Sequence, residues 1–219
     1  MLWGGVADGG ALELRRASDG SVRLSGRFPY GKPAVLSDGG REGRPRKELL
    51  EPRAFEYRIN TPSSHDGGPK EIHLLSGHDF GKPLASVRAG TLSLKDTAAA
   101  VIISAVITRA IAETTHGRDA LALIGSGLAV GISPGFRVPP KRAVAVAETI
   151  EEEPDDGQPG IDGQPRRGAI IRRIKAALLY EFSIVTRPAY PEAQIEARAW
   201  APDKPANLPV CHPLSRWRL

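Results

Sequence analysis

The stretch Ala177-Leu-Leu-Tyr-Glu-Phe-Ser-Ile-Val185 sets a single acid, Glu181, inside an apolar, aromatic and β-branched run. A short run of that composition favours a strand. A carboxylate is costly to bury without a partner. Glu181 therefore either meets a partner inside the protein or turns outward at alternating positions, with Tyr180, Phe182 and Ile184 inward.

Working outward, the same kind of short run recurs. Ser21-Val-Arg-Leu-Ser-Gly-Arg-Phe28 alternates polar and apolar residues as a half-buried strand does. Glu71-Ile-His-Leu-Leu75, Leu92-Ser-Leu94, Ala99 to Ile107, Ala129 to Val138 and Ala169-Ile-Ile-Arg-Arg-Ile174 are further strand candidates, bounded by Gly, Pro or charge. Leu49-Leu-Glu-Pro-Arg-Ala-Phe55 reads as a strand end running into a short helix. Thr114-Thr-His-Gly-Arg-Asp-Ala-Leu-Ala-Leu-Ile124 has hydroxyl starters, an apolar face and terminating glycines at 125 and 127, the pattern of a capped helix. Thr61 to Lys70 is turn chemistry, and 139–168, with the acidic run Glu151-Glu-Glu-Pro-Asp-Asp156 and repeated Gly-Gln-Pro, reads as a solvated, mobile excursion.

The chain has 219 residues, enough for one domain with tails. The expected organisation is a flexible segment over 1–20, a domain over 21–198 and a C-terminal tail over 199–219. With 24 Gly, 19 Pro and only 5% aromatics, short strands and a thin aromatic core are expected. The net charge of +5 is diluted among 25 carboxylates, which argues against a specific nucleic-acid site. Cys211, the single cysteine, cannot form an internal disulfide. The most apolar stretch, Ala98 to Ile107, is too short to span a bilayer, and no secretory signal is visible. A soluble, cytoplasmic protein is the expectation.

Hydrolysis by a serine requires a nucleophile, a base, a group that orients the base, and donors for the oxyanion. Ser133 lies in Gly131-Ile-Ser-Pro-Gly-Phe136, where flanking glycines would admit a substrate backbone; His78 lies in Leu74-Leu-Ser-Gly-His-Asp79, just past a strand. Taken alone, a serine between glycines is also an ordinary turn residue, and a His-Asp pair an ordinary cap. His65 and His73 offer the same residue type as His78.

Leu49-Leu-Glu-Pro-Arg-Ala-Phe55, Leu74 to Asp79 followed by Lys82-Pro-Leu-Ala85, Gly117-Arg-Asp-Ala-Leu-Ala-Leu-Ile124, Gly131 to Val138 and Tyr180-Glu-Phe-Ser-Ile-Val-Thr-Arg-Pro-Ala-Tyr-Pro191 follow one another in an order that resembles the prohead proteases of tailed phages. The resemblance spans Ser21 to Ala197. It implies an α+β fold like that of the herpesvirus assemblins, a mainly antiparallel β-barrel with peripheral helices. It also implies a serine endopeptidase with His78 as base, Ser133 as nucleophile and Glu181 as the residue that holds the imidazole. Such an enzyme uses no metal or organic cofactor. Its partners are the major capsid protein with its scaffold segment and the protease itself, inside the assembling prohead; no membrane is involved, and self-association is left open. One departure stands out. Pro134 follows the proposed nucleophile where the family more usually has Ile or Val, and proline has no N–H to donate. A catalytically idle capsid-assembly component is the alternative this raises, and a basic nucleic-acid-binding module is the third reading, from Arg166-Arg167 and Arg172-Arg173-Lys175.

Overall fold

A computed structural model describes residues 13–39, 43–63, 67–129, 131–155 and 167–188. Most of the expected N-terminal segment, the whole C-terminal tail with Cys211, and His65 lie outside the described residues.

Twelve short strands and three helices are present among them. The first sheet has the order β1 (Glu13–Arg16), β2 (Val22–Pro29), β8 (Ala100–Ile107), β7 (Leu92–Asp96). Its inward positions, Val22, Leu24, Phe28, Val101, Ile103 and Ile107, are buried, while Arg23, Ser25 and Ile102 face outward, which is the alternation read from the sequence. The second sheet is β10 (Glu148–Glu152), β11 (Ile170–Ile174), β4 (Arg46–Leu50), β3 (Pro33–Ser37). The third is β6 (Asp79–Ser86), β5 (His73–Ser76), β12 (Leu178–Val185), β9 (Gly131–Arg137). The helices are α1 (Glu56–Asn60), α2 (Arg109–Ala112) and α3 (Thr115–Gly125). As expected, Thr114 caps α3, its hydroxyl accepting from the Gly117 N–H at 3.1 Å.

The α+β expectation holds in its coarse form, a chain that is mostly sheet with few helices. The barrel does not: among the described residues no sheet closes on itself, and three separate four-stranded sheets share one core. The pairing is mainly antiparallel, but β11 runs parallel to β4 and β12 parallel to β5.

Few aromatics serve this core, and they are concentrated. Phe28 of β2, Phe55 at the start of α1 and Phe182 of β12 meet with ring centroids 5.8–6.1 Å apart. Each ring is fully buried. Burial of such a side chain contributes about 1.5–3 kcal/mol, and each well-placed ring pair about 0.5–1.5 kcal/mol more. These contacts tie β12, and with it the third sheet, to the first.

The stretch 139–168 is not uniformly a solvated excursion. Glu148–Glu152 is a strand, and its acids face a basic partner. Arg172 reaches Glu148 and Glu48, and Arg173 reaches Glu151 at 2.7 Å. Arg44 pairs with Glu152, and Lys47 with Glu153 at 2.9 Å. The acidic and basic runs are far apart in sequence and are neighbours across one ladder. Residues 156–166 lie outside the described residues.

Candidate active site

Along β12, Leu179, Phe182 and Ile184 all join the core. Leu179 and Phe182 are three positions apart, a spacing that strict strand alternation would send to opposite faces. A bulge reconciles them: Leu179 pairs with Phe136 and Glu181 with Gly135, leaving Tyr180 as the extra residue on β12. Beyond the bulge the phase is reset. Phe182 and Ile184 enter the core, and Glu181 and Ser183 share the opposite face.

That second face is also closed off from water. Glu181 is 3% exposed, Ser183 fully buried and Ser133 7% exposed. Ser133 is the register partner of Ser183 across β9 and β12, so the two side chains stand on the same face. Glu181 stands opposite Gly135, and a Cβ built on Gly135 would lie 2.0 Å from Glu181 Oε1. The same construction at Gly131 meets the Pro188 ring at 2.6 Å. The glycines that flank Ser133 therefore make room for this protein's own carboxylate and proline ring, where the sequence had suggested room for a substrate backbone.

His78 arrives from the hairpin between β5 and β6. Ser76 pairs with Asp79, so the turn is the dipeptide Gly77-His78, and both residues have positive φ, 67° and 60°. Two left-handed residues are what a two-residue hairpin with the twist of its strands requires. Histidine tolerates the left-handed region better than most residues, at a cost of roughly 1–3 kcal/mol. The turn is pinned to β12 at two points. The Gly77 N–H donates to the Ile184 carbonyl at 3.0 Å, and the His78 N–H donates to Ser183 Oγ at 2.9 Å. Past the turn, Asp79 accepts from the Gly81 N–H at 2.8 Å and meets Lys82, which together hold its carboxyl below the usual range.

With the turn so held, His78 Nδ1 lies 2.7 Å from Glu181 Oε1. The other carboxylate oxygen, Oε2, accepts from the Ser183 hydroxyl at 2.7 Å. Glu181 is thus a buried acid with both oxygens engaged, and His78 is half exposed on its far side, with a side-chain exposure of 45%. Of the competing histidines, His73 shares the face, being the register partner of Glu181, but its ring stands edge-on to Phe80. His116 holds the Pro83 carbonyl at 3.1 Å.

The structure therefore brings His78 to Glu181 and sets Ser133 one cross-strand step from Ser183, which holds the His78 backbone. No hydrogen bond joins Ser133 to His78 among the described residues. Ser183 was not singled out in the sequence. Its only signal there was a polar residue two positions after Glu181 in an apolar strand. Pro134 is buried on the core face opposite Phe182, in a strand at the edge of its sheet, where proline is tolerated.

No curated protein and no solved structure matches the chain. A family model, caudovirus prohead serine protease, matches residues 41–204, well over half of it. The matched span contains β5, β6, β9 and β12, and with them His78, Ser133, Glu181 and Ser183. With that match over most of its length, the chain belongs to the caudovirus prohead serine protease family, a family of serine peptidases involved in capsid maturation.

Proposed function

We propose that this chain is a serine endopeptidase that cleaves the scaffold segment of the major capsid protein, with Ser133 as nucleophile, His78 as general base and Glu181 as the residue that holds the base. The observation that carries the reading is the 2.7 Å contact between His78 Nδ1 and a Glu181 carboxylate that is itself buried. Glu181 accepting from Nδ1–H fixes the tautomer in which Nε2 is free to accept a proton. As Ser133 Oγ attacks a peptide carbonyl, Nε2 takes the hydroxyl proton; Glu181 stabilises the imidazolium; and the proton passes to the leaving amine. Water then repeats the sequence on the acyl-enzyme. The work would be done inside the immature shell in the host cytoplasm, on capsid protein and on the protease's own chain.

The test is the intact mass of the major capsid protein co-expressed with this chain, in wild-type and Ser133→Ala forms. Cleavage is expected with the first, and the substitution should lower it by several orders of magnitude. Equal masses in both samples would overturn the reading.

A second reading, a capsid component that keeps the fold without the reaction, is favoured by Pro134, which removes one backbone N–H next to the nucleophile. Failure of Ser133 to react with a fluorophosphonate probe in folded protein would select it. The nucleic-acid reading loses support, because Arg172 and Arg173 are already engaged by Glu48, Glu148 and Glu151.

A further inference from the structure

One buried hydroxyl connects the parts of the site that come from different strands. Ser183 Oγ accepts the His78 N–H at 2.9 Å and donates to Glu181 Oε2 at 2.7 Å, and the residue has no solvent exposure. We infer that Ser183 is a positioning residue for the reaction: it fixes the carboxylate of Glu181 and the turn carrying His78 in one mutual geometry. The inference rests on the assignment of His78 and Glu181 under the proposed function.

The first part of the case is directional. A carboxylate on a glutamate side chain can rotate about its terminal bond, and that torsion is broad. With Oε2 held by Ser183, Oε1 is presented to His78 Nδ1. Without the hydroxyl, neither oxygen is assigned to a direction, and the Nδ1 contact has to compete with other orientations.

The second part concerns the backbone. His78 has φ of 60°, a conformation that a histidine holds only when its surroundings over-determine it. Its N–H has the Ser183 hydroxyl as partner, from 105 residues further along the chain. Serine supplies what this position needs, because one hydroxyl oxygen both donates and accepts. Alanine would leave a backbone donor and a carboxylate oxygen unsatisfied at once. Ser183 is also the register partner of Ser133, so the same side chain lies between the strand of the nucleophile and the turn of the base.

The test uses the full chain with Ser183→Ala, Ser183→Cys and Ser183→Thr. The far-downfield proton resonance of the His78 Nδ1–H bonded to Glu181, assigned by its loss in His78→Ala, reports the pair directly. It is expected to vanish or move upfield in the alanine and cysteine variants and to persist with threonine, which keeps a hydroxyl. In parallel, the maximal rate of Ser133 labelling by a fluorophosphonate probe should fall about 10–100-fold in the alanine variant. The half-saturating probe concentration should stay within about two-fold, and threonine should recover the rate. A purely structural serine would lower the melting temperature and leave both signatures of the folded protein unchanged, and that result would overturn the inference. Should the alanine variant not fold, cysteine, a weak hydrogen-bonding partner of similar shape, gives the same comparison. If the wild type is not labelled at Ser133, the proposed function fails, and the resonance still decides whether Ser183 positions His78 on Glu181.

Discussion

Of the three buried carboxylates among the described residues, Glu48, Asp96 and Glu181, the last two lie in different parts of this protein and are served differently. Glu181, between β9 and the hairpin of β5 and β6, has both oxygens engaged, one by His78 and one by Ser183. Asp96, at the end of β7, accepts from the Tyr30 hydroxyl at 2.8 Å with one oxygen, and its Oδ2 has no hydrogen-bond partner among the described residues. Burial raises the Asp96 carboxyl above its ordinary range, and it raises the Tyr30 phenol as well. The first acid has each oxygen matched to one polar neighbour, a half-exposed imidazole on one side and a buried hydroxyl on the other. The second joins strand to loop, since the Tyr30 hydroxyl also meets the Phe55 N–H. A buried acid by itself therefore says little; which partners its oxygens have says more.

Gly135→Ala should break the comparison most sharply. The added methyl would sit within contact of Glu181 Oε1, displacing the carboxylate without changing any charge. Labelling of Ser133 by a fluorophosphonate is expected to drop by up to about 10,000-fold, the loss that follows when the orienting acid of a triad no longer holds its base. Unchanged labelling would mean that Glu181 does not orient the base. At the other acid, Tyr30→Phe should cost about 1–3 kcal/mol of stability in denaturant unfolding, because buried Asp96 then loses the hydroxyl it accepts from, and it should leave labelling unaltered. A loss of labelling in folded protein would show that the two regions are coupled. The smallest effect is a slope. A carboxyl whose folded value is raised contributes stability that is full below its unfolded value, near 3.8, and lost as pH rises through the folded value. Asp96→Asn has no such group, so its stability relative to wild type should improve as pH rises from below 3.8 through the raised folded value. A constant difference across that range would remove Asp96 from the account.

The strands were legible wherever alternation or β-branched runs marked them. Val22–Pro29, Ala100–Ile107 and Leu178–Val185 fall on the stretches read as sheet, and the helix Thr115–Gly125 lies behind its predicted cap. Asp79–Ser86 was not read as a strand, since Gly81 and Pro83 interrupt its pattern, and it is held by pairing with β5 through two irregularities. Glu148–Glu152 was hidden for a different reason. Five residues with three acids look solvated until Arg172 and Arg173 face them across the ladder. The barrel implied by the resemblance gave way to three four-stranded sheets, a matter of which strands pair and not of where strands lie.

What the sequence by itself determined is the set of local preferences and the order of motifs, because both are carried by neighbours in the chain. It marked Glu181 as an acid that either meets a partner or faces outward, His78 as a residue just past a strand, and the run of motifs that resembles the family. Only the tertiary structure decided which face each residue occupies. A single extra residue, Tyr180, resets the phase of β12, and that bulge exists only in relation to the register of β9. The pairing of His78 with Glu181, and the contact of Ser183 with the His78 backbone, join residues 103 and 105 positions apart. No local pattern encodes such contacts, since they form only when separate strands are brought into one sheet.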